Sequence, residues 1–105
     1  MDRRGKQAEM TDLRKLARGQ QCMVRIDGCD GGGETTVLAH LRMPGYCGTS
    51  IKPDDLAFGA WCCARCHAKI DGREKCDMTH AELHSAHADG CLRTVAALRK
   101  MGAIK

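Results

Sequence analysis

Residues 61–71 read W-C-C-A-R-C-H-A-K-I-D and carry the densest ligand chemistry in the chain. Cys63 and Cys66 stand in C-x2-C spacing, which lets two thiolates on one tight turn reach the same tetrahedral ion. His67 follows at once, and Asp71 comes four positions later. A helix starting here would put His67 and Asp71 on one face, where they could hold a second metal. One short segment thus offers half of a structural site and much of a catalytic one.

The partners for the two thiolates lie upstream. Cys22 and Cys29 flank an Asp27-Gly28 turn signal in C-x6-C spacing, a looser knuckle that still aims two sulfurs at one ion. Cys22, Cys29, Cys63 and Cys66 are therefore the expected ligands of a structural zinc. Four thiolates close the coordination sphere, so such a site does no chemistry. It contributes folding free energy, on the order of 10 kcal/mol in small zinc domains. Cys62 competes with Cys63, because neighbours on a strand point opposite ways and only one can face the ion. The tighter knuckle favours Cys63. Cys47, Cys76 and Cys91 read as buried or free thiols. His80, His84 and His87 fall at i, i+4 and i+7, a spacing able to bind metal. They read instead as solvated histidines along the border of an apolar helix face.

The elements that must position these groups follow from pattern and punctuation. Residues 1–10 are polar, with Arg3, Arg4 and Lys6, and read as a disordered basic tail. Thr11 caps a short helix over 12–18, with Leu13, Leu16 and Ala17 inward, and Gly19 ends it. Residues 21–26 alternate weakly and predict a short strand. Residues 30–33 form a plain Gly-rich turn. Residues 35–41 predict a strand with His40 near its end, and 42–55 a long loop punctuated by Pro44, Gly45, Gly48 and Pro53. A second strand over 56–62 runs into the C-x2-C knuckle, and a short helix over 64–72 follows. Thr79 with Glu82 forms a capping box for a last helix. Leu83, Ala86, Thr94, Leu98 and Met101 fall on its buried side. Gly90 shares that face, as a weak point or a close-packing site. There is no internal repeat or domain boundary, so residues 11–105 read as one domain.

Composition agrees with a stapled small domain. Of 105 residues only Tyr46, Phe58 and Trp61 are aromatic, while eight are cysteine. A core this thin needs a metal or disulfides. No apolar run is long enough for a signal peptide or a membrane span. That predicts a cytosolic protein with reduced thiols and makes disulfides the weaker reading. Charge is segregated. Residues 1–25 carry seven Lys/Arg against three Asp/Glu, 26–90 six against ten, and 91–105 four against none. Basic ends suit phosphate contacts and an acidic middle suits a cation, although +4 overall is modest.

A strand ending in histidine, a loop, a strand ending in C-x2-C-H and a helix together resemble the HNH endonucleases, also called His-Me finger or ββα-metal nucleases. L-R-K-x-A-R-G, V-L-A-H, C-G-T-x-x-K-P-x-D-L and C-x-x-C-H-x-x-I-D resemble more closely the short prophage nucleases of the YbcO type. This likeness runs from about Asp12 to the C-terminus. It implies an α+β, zinc-stabilised single domain, a ββα-metal finger flanked by N- and C-terminal helices.

By position, the resemblance makes His40 the general base on water, and His67 and Asp71 ligands of a catalytic Mg²⁺ or Mn²⁺. Asp55 occupies the place of the middle Asn that braces the loop. Many members carry an Asp ligand directly before the base, where this chain has Ala39. The ligand set is thinner for it, and Asp54 or Asp55 is available to turn inward. Arg42, Lys52, Arg65 and Lys69 lie in or beside the finger, placed to hold a DNA backbone. The implied activity is metal-dependent hydrolysis of DNA phosphodiesters in phage or prophage DNA metabolism and recombination. DNA is then the partner, with a recombination protein beside it, in the cytoplasm of a bacterial host and away from membranes. The chemistry is self-consistent: an imidazole is a suitable base near neutral pH, and a divalent cation can polarise the phosphate. The alternative is a zinc module that binds nucleic acid without cutting it. Sparse aromatics argue against a base-stacking binder of single strands.

Overall fold

The computed structural model describes residues 13–41 and 55–103. The expected basic tail, the Thr11 cap, Cys47, Asp54 and most of the long loop lie outside them. Five elements follow one another: α1 (Leu13–Ala17), β1 (Val37–His40), β2 (Gly59–Cys62), α2 (Ala64–Ile70) and α3 (His80–Lys100). They make a small α+β domain in which, in chain order, a two-stranded sheet and a short helix are preceded by one helix and followed by another.

The sheet is antiparallel, pairing Val37 with Cys62, Leu38 with Trp61, Ala39 with Ala60 and His40 with Gly59. Every residue of β2 is buried. Its outer edge is covered rather than left open: the Trp61 N–H donates to Thr94 Oγ1 at 2.9 Å, and the Trp61 carbonyl accepts from Met23 N–H at 2.7 Å. A buried strand edge would otherwise carry unpaired backbone groups. Two apolar clusters meet at the sheet. Leu13, Ala17, Leu38, Trp61 and Leu98 form one, which fixes both terminal helices. Cys22, Val24, Ile26, Ala39, Leu41, Ala60, Cys62, Cys63, Cys66 and Cys91 form the other.

The segment expected as a strand over 21–26 is not one. It makes a single bridge, Gln21 to Gly32, and otherwise turns. Arg25 has φ 59°, a left-handed conformation that no regular strand contains, and Met23 spends its N–H on β2 instead of a hairpin partner. The alternation in the sequence reflects burial of Cys22, Val24 and Ile26 in a loop wrapped on the core. The Asp27-Gly28 turn is present, closed by Cys29 N–H to the Ile26 carbonyl at 2.9 Å.

The capping box opens α3: Thr79 N–H donates to Glu82 Oε1 at 2.8 Å, and Glu82 N–H to Thr79 Oγ1 at 3.1 Å. Gly90 is a close-packing site. A Cβ there would lie 2.8 Å from Val24 Cγ2 and 3.3 Å from Ala60 Cβ, so only glycine lets the helix axis approach β2 this closely. The buried stripe is His87, Gly90, Cys91, Thr94 and Leu98. Met101, expected inward, is 50% exposed because the helix has run past the sheet by then. Among the described residues no helix is long and apolar enough to cross a membrane.

Candidate active site and metal centre

The two knuckles meet as expected. The ligand atoms of Cys22, Cys29, Cys63 and Cys66 all lie within 4.8 Å of one another, and Cys29 Sγ is 3.7 Å from Cys63 Sγ. Sulfurs bound at about 2.3 Å to a tetrahedral ion lie roughly 3.8 Å apart, so the four thiols can bind an ion such as zinc. Backbone donors are already aimed at the sulfurs: Gly31 N–H at Cys29 Sγ, 3.3 Å, and Cys66 N–H at Cys63 Sγ, 3.4 Å. The second of these is also the N-cap of α2, so the ligand turn and the helix start are one feature.

Cys62 stands outside this set but touches it. Its hydrogen bond to Cys22 holds the Cys22 thiol well below the ordinary range, with backbone donors adding and burial opposing. The same bond, helped by burial, holds Cys62 far above that range. Burial pushes Cys29 and Cys66 up, a cost that a bound cation would offset. Cys91 is buried in the same apolar cluster but outside the four-thiol set, and burial alone pushes it up to about 11.

The second group of residues lies where β1, α2 and α3 converge. Asp55, at the turn before β2, takes a 2.6 Å hydrogen bond from His40 Nε2–H. A carboxylate only accepts, so the bond needs the proton on Nε2. Arg14 Nε of α1 lies 3.5 Å from the other Asp55 oxygen. The sequence carried no sign of this contact from the terminal helix. On α2, His67 Nε2 and Asp71 Oδ2 are 3.5 Å apart, one helical turn from each other, and Arg73 Nη2 donates to the same oxygen at 3.2 Å.

A cavity of about 300 Å³ is lined by His40 and Leu41 after β1, Ile70 and Asp71 at the end of α2, and His80, Leu83, His84 and His87 of α3. His40 and Asp71 thus share one space, and His67 borders it through Asp71. Of the α3 histidines, His80 and His84 are exposed as expected, but His87 is not. His87 is 3% exposed and its Nε2–H donates to the Ala39 carbonyl at 2.9 Å. Burial lowers its pKa, the Ala39 bond opposing and nearby His67 and His84 adding to the drop. Among the described residues, the four thiols are the one set of three or more such donors closing to within 4.8 Å. His67 and Asp71 are a pair, and two ligand atoms 3.5 Å apart still fit one ion bound at about 2.1 Å. Nitrogen and carboxylate donors suit Mn²⁺ or another transition ion better than Mg²⁺.

Of the four expected backbone-holding residues, Arg42 and Lys52 lie outside the described residues. Arg65 is exposed at the start of α2, with Nη2 3.1 Å from Glu74 Oε2. Lys69 is not on the surface. It is 9% exposed, and its ammonium donates to the Asp27 carbonyl, so it ties α2 to the first knuckle. Helical spacing put Lys69 beside the finger but could not reveal which way the helix would roll.

Comparison with known proteins follows the same geometry. The family model described as "Putative nuclease YbcO" matches residues 11–103. Proteins named "Putative nuclease YbcO" from Escherichia coli (strain K12) and "Putative nuclease ybcO" from Enterobacteria phage 82 are each 46% identical over 98 residues, spanning 91% of this chain and 99% of theirs. A solved structure titled "Structure of a putative bacteriophage protein from Escherichia coli str. K-12 substr. MG1655" superposes with TM-score 0.70 at 38% identity, covering 87% of this chain and 100% of that one. A match across nearly the whole length, in sequence and in backbone, makes this chain a member of the YbcO family.

Proposed function

We propose that the chain is an HNH-type endonuclease that hydrolyses DNA phosphodiester bonds, with His40 as the general base. The observation that carries this reading is the His40–Asp55 hydrogen bond, 2.6 Å, made at the edge of the cavity that Asp71 also lines. Asp55 holds the imidazole by Nε2, so that Nδ1 is free to take a proton from water. Arg14 braces Asp55 from behind. His67 and Asp71 would hold the cation, Mn²⁺ or Mg²⁺, which neutralises charge on the phosphoryl oxygens and the leaving oxygen when bound. Arg65, with Arg42 and Lys52, which lie outside the described residues, would hold the DNA backbone. The relatives' nuclease names, and their source in a phage and a bacterial genome, support a role in phage or prophage DNA metabolism, in the host cytoplasm and beside recombination proteins.

The test is cleavage of plasmid and single-stranded DNA by zinc-loaded protein with Mg²⁺ or Mn²⁺, with and without chelator. Wild type should cut, and His40→Ala should lose on the order of a hundredfold or more in rate. No cutting with either ion, or equal cutting by His40→Ala, removes the proposal. A zinc module that only binds nucleic acid is the remaining reading, and its binding would ignore the loss of His40.

A further inference from the structure

Leu13 and Ala17 of α1 are buried in the cluster with Leu38, Trp61 and Leu98, and Leu16 packs against it. That burial turns Arg14, Lys15 and, just past the helix, Arg18 outward. Cations near a helix C-terminus suit the macrodipole whatever the function, so their presence alone says little. Their placement says more. All three line one groove of about 640 Å³, together with Glu34, Thr36 and Val37. Three positive charges thus meet one carboxylate there. The Thr36 hydroxyl is already committed, donating to the Gln20 carbonyl at 2.7 Å and accepting from Gly33 N–H at 2.9 Å. What the groove presents to a ligand is therefore mainly positive charge, which suits a phosphodiester backbone. The groove also leads to His40. Val37 opens β1 and His40 closes it, about 10 Å further on, roughly three base-pair steps of B-DNA. Arg14 belongs to both places. It lines the groove, and its Nε lies 3.5 Å from the Asp55 carboxylate that holds His40.

We propose that the cationic face of α1 is a docking surface for the DNA backbone, with Lys15 and Arg18 holding phosphates and Arg14 standing where the groove meets the His40–Asp55 pair. Contacts to phosphate fix the position of a duplex without reading its sequence. The surface would therefore set which phosphate reaches His40 and would treat all sequences alike. This deepens the cleavage reading and rests on it for what lies at the end of the groove, but not for the binding itself.

The test is fluorescence anisotropy of two labelled duplexes of unrelated sequence, titrated with the full zinc-loaded chain over a range of salt and without Mg²⁺ or Mn²⁺. Zinc content and circular dichroism are measured on every variant. Lys15→Gln with Arg18→Gln should lower the slope of log affinity against log salt by about 1.8, two phosphate contacts at about 0.9 each. Affinity near 0.1 M salt should fall on the order of tenfold or more, equally for both duplexes. Each single variant should lower the slope by about half as much, and Lys15→Arg with Arg18→Lys should restore it. A double variant that keeps the wild-type slope overturns the proposal, as does a loss confined to one of the two sequences. The two readings fail separately. A slope that depends on Lys15 and Arg18, in a protein that cuts no DNA, leaves this surface standing and removes the nuclease. Cleavage that depends on His40, with a slope that ignores Lys15 and Arg18, does the reverse.

Discussion

Gly59 lies directly opposite His40 in the sheet, and a side chain there would collide with the Asp55 carbonyl and with Leu38 Cδ1 at 2.8 Å. Asp55, which holds the His40 ring, is therefore seated against a position that must lack a Cβ. Gly59→Ala should push the Asp55 backbone away, lower stability by about 1–3 kcal/mol, and slow cleavage beyond what that destabilisation explains. Denaturant unfolding and single-turnover cleavage on the same preparation separate the two effects.

Asp55 needs only an acceptor to orient His40. Asp55→Asn should keep most of the cleavage rate, because an amide oxygen still accepts the Nε2–H bond. Asp55→Ala should lose roughly a hundredfold, within the range that a positioned general base supplies. Equal rates for the two variants would mean that the hydrogen bond does not orient the base.

Cys62 and Cys63 are neighbours with different roles. Cys63→Ser should lose zinc and unfold at moderate temperature, since the ion is worth on the order of 10 kcal/mol to a small domain. Cys62→Ala should retain one zinc per chain and a folded spectrum, because Cys62 stands outside the four-thiol set. A chelator strong enough to strip the zinc should reproduce the first result in wild type.

His87 stays neutral because it is buried, so the unfolded chain takes up that proton first as pH falls. Its contribution is complete above about pH 6.5 and is lost progressively below that value as protonation favours the unfolded state. His87→Gln, which can still donate to the Ala39 carbonyl, should flatten the fall in stability. Unfolding midpoints of zinc-loaded protein across about pH 5.5–8 measure the difference in slope.

Arg65 and Lys69 divide along exposure. Arg65→Ala should lower the salt slope of DNA binding by about 0.9, the signature of one lost phosphate contact. Lys69→Met should leave that slope alone and reduce stability by about 1–3 kcal/mol, because the Asp27 carbonyl loses its charged donor. Binding titrations over a range of salt, paired with unfolding curves, test both.

What could be read without coordinates was local. The C-x2-C and C-x6-C knuckles, the Thr79–Glu82 capping box, the strand ending at His40 and the His67–Asp71 spacing each depend on a few adjacent residues and on fixed helical or turn geometry. Those patterns determined the ββα order, the four-thiol set and the pairing of imidazole with carboxylate on α2. The tertiary structure alone decided what lies across space from each of them. It turned the 21–26 segment into a loop, seated Lys69 on Asp27, brought Arg14 to Asp55 and buried His87 against Ala39. The three contacts join residues 41 to 48 positions apart. No periodicity encodes which way a helix rolls onto a sheet, because that is settled by packing around Gly90, Trp61 and the sulfurs together.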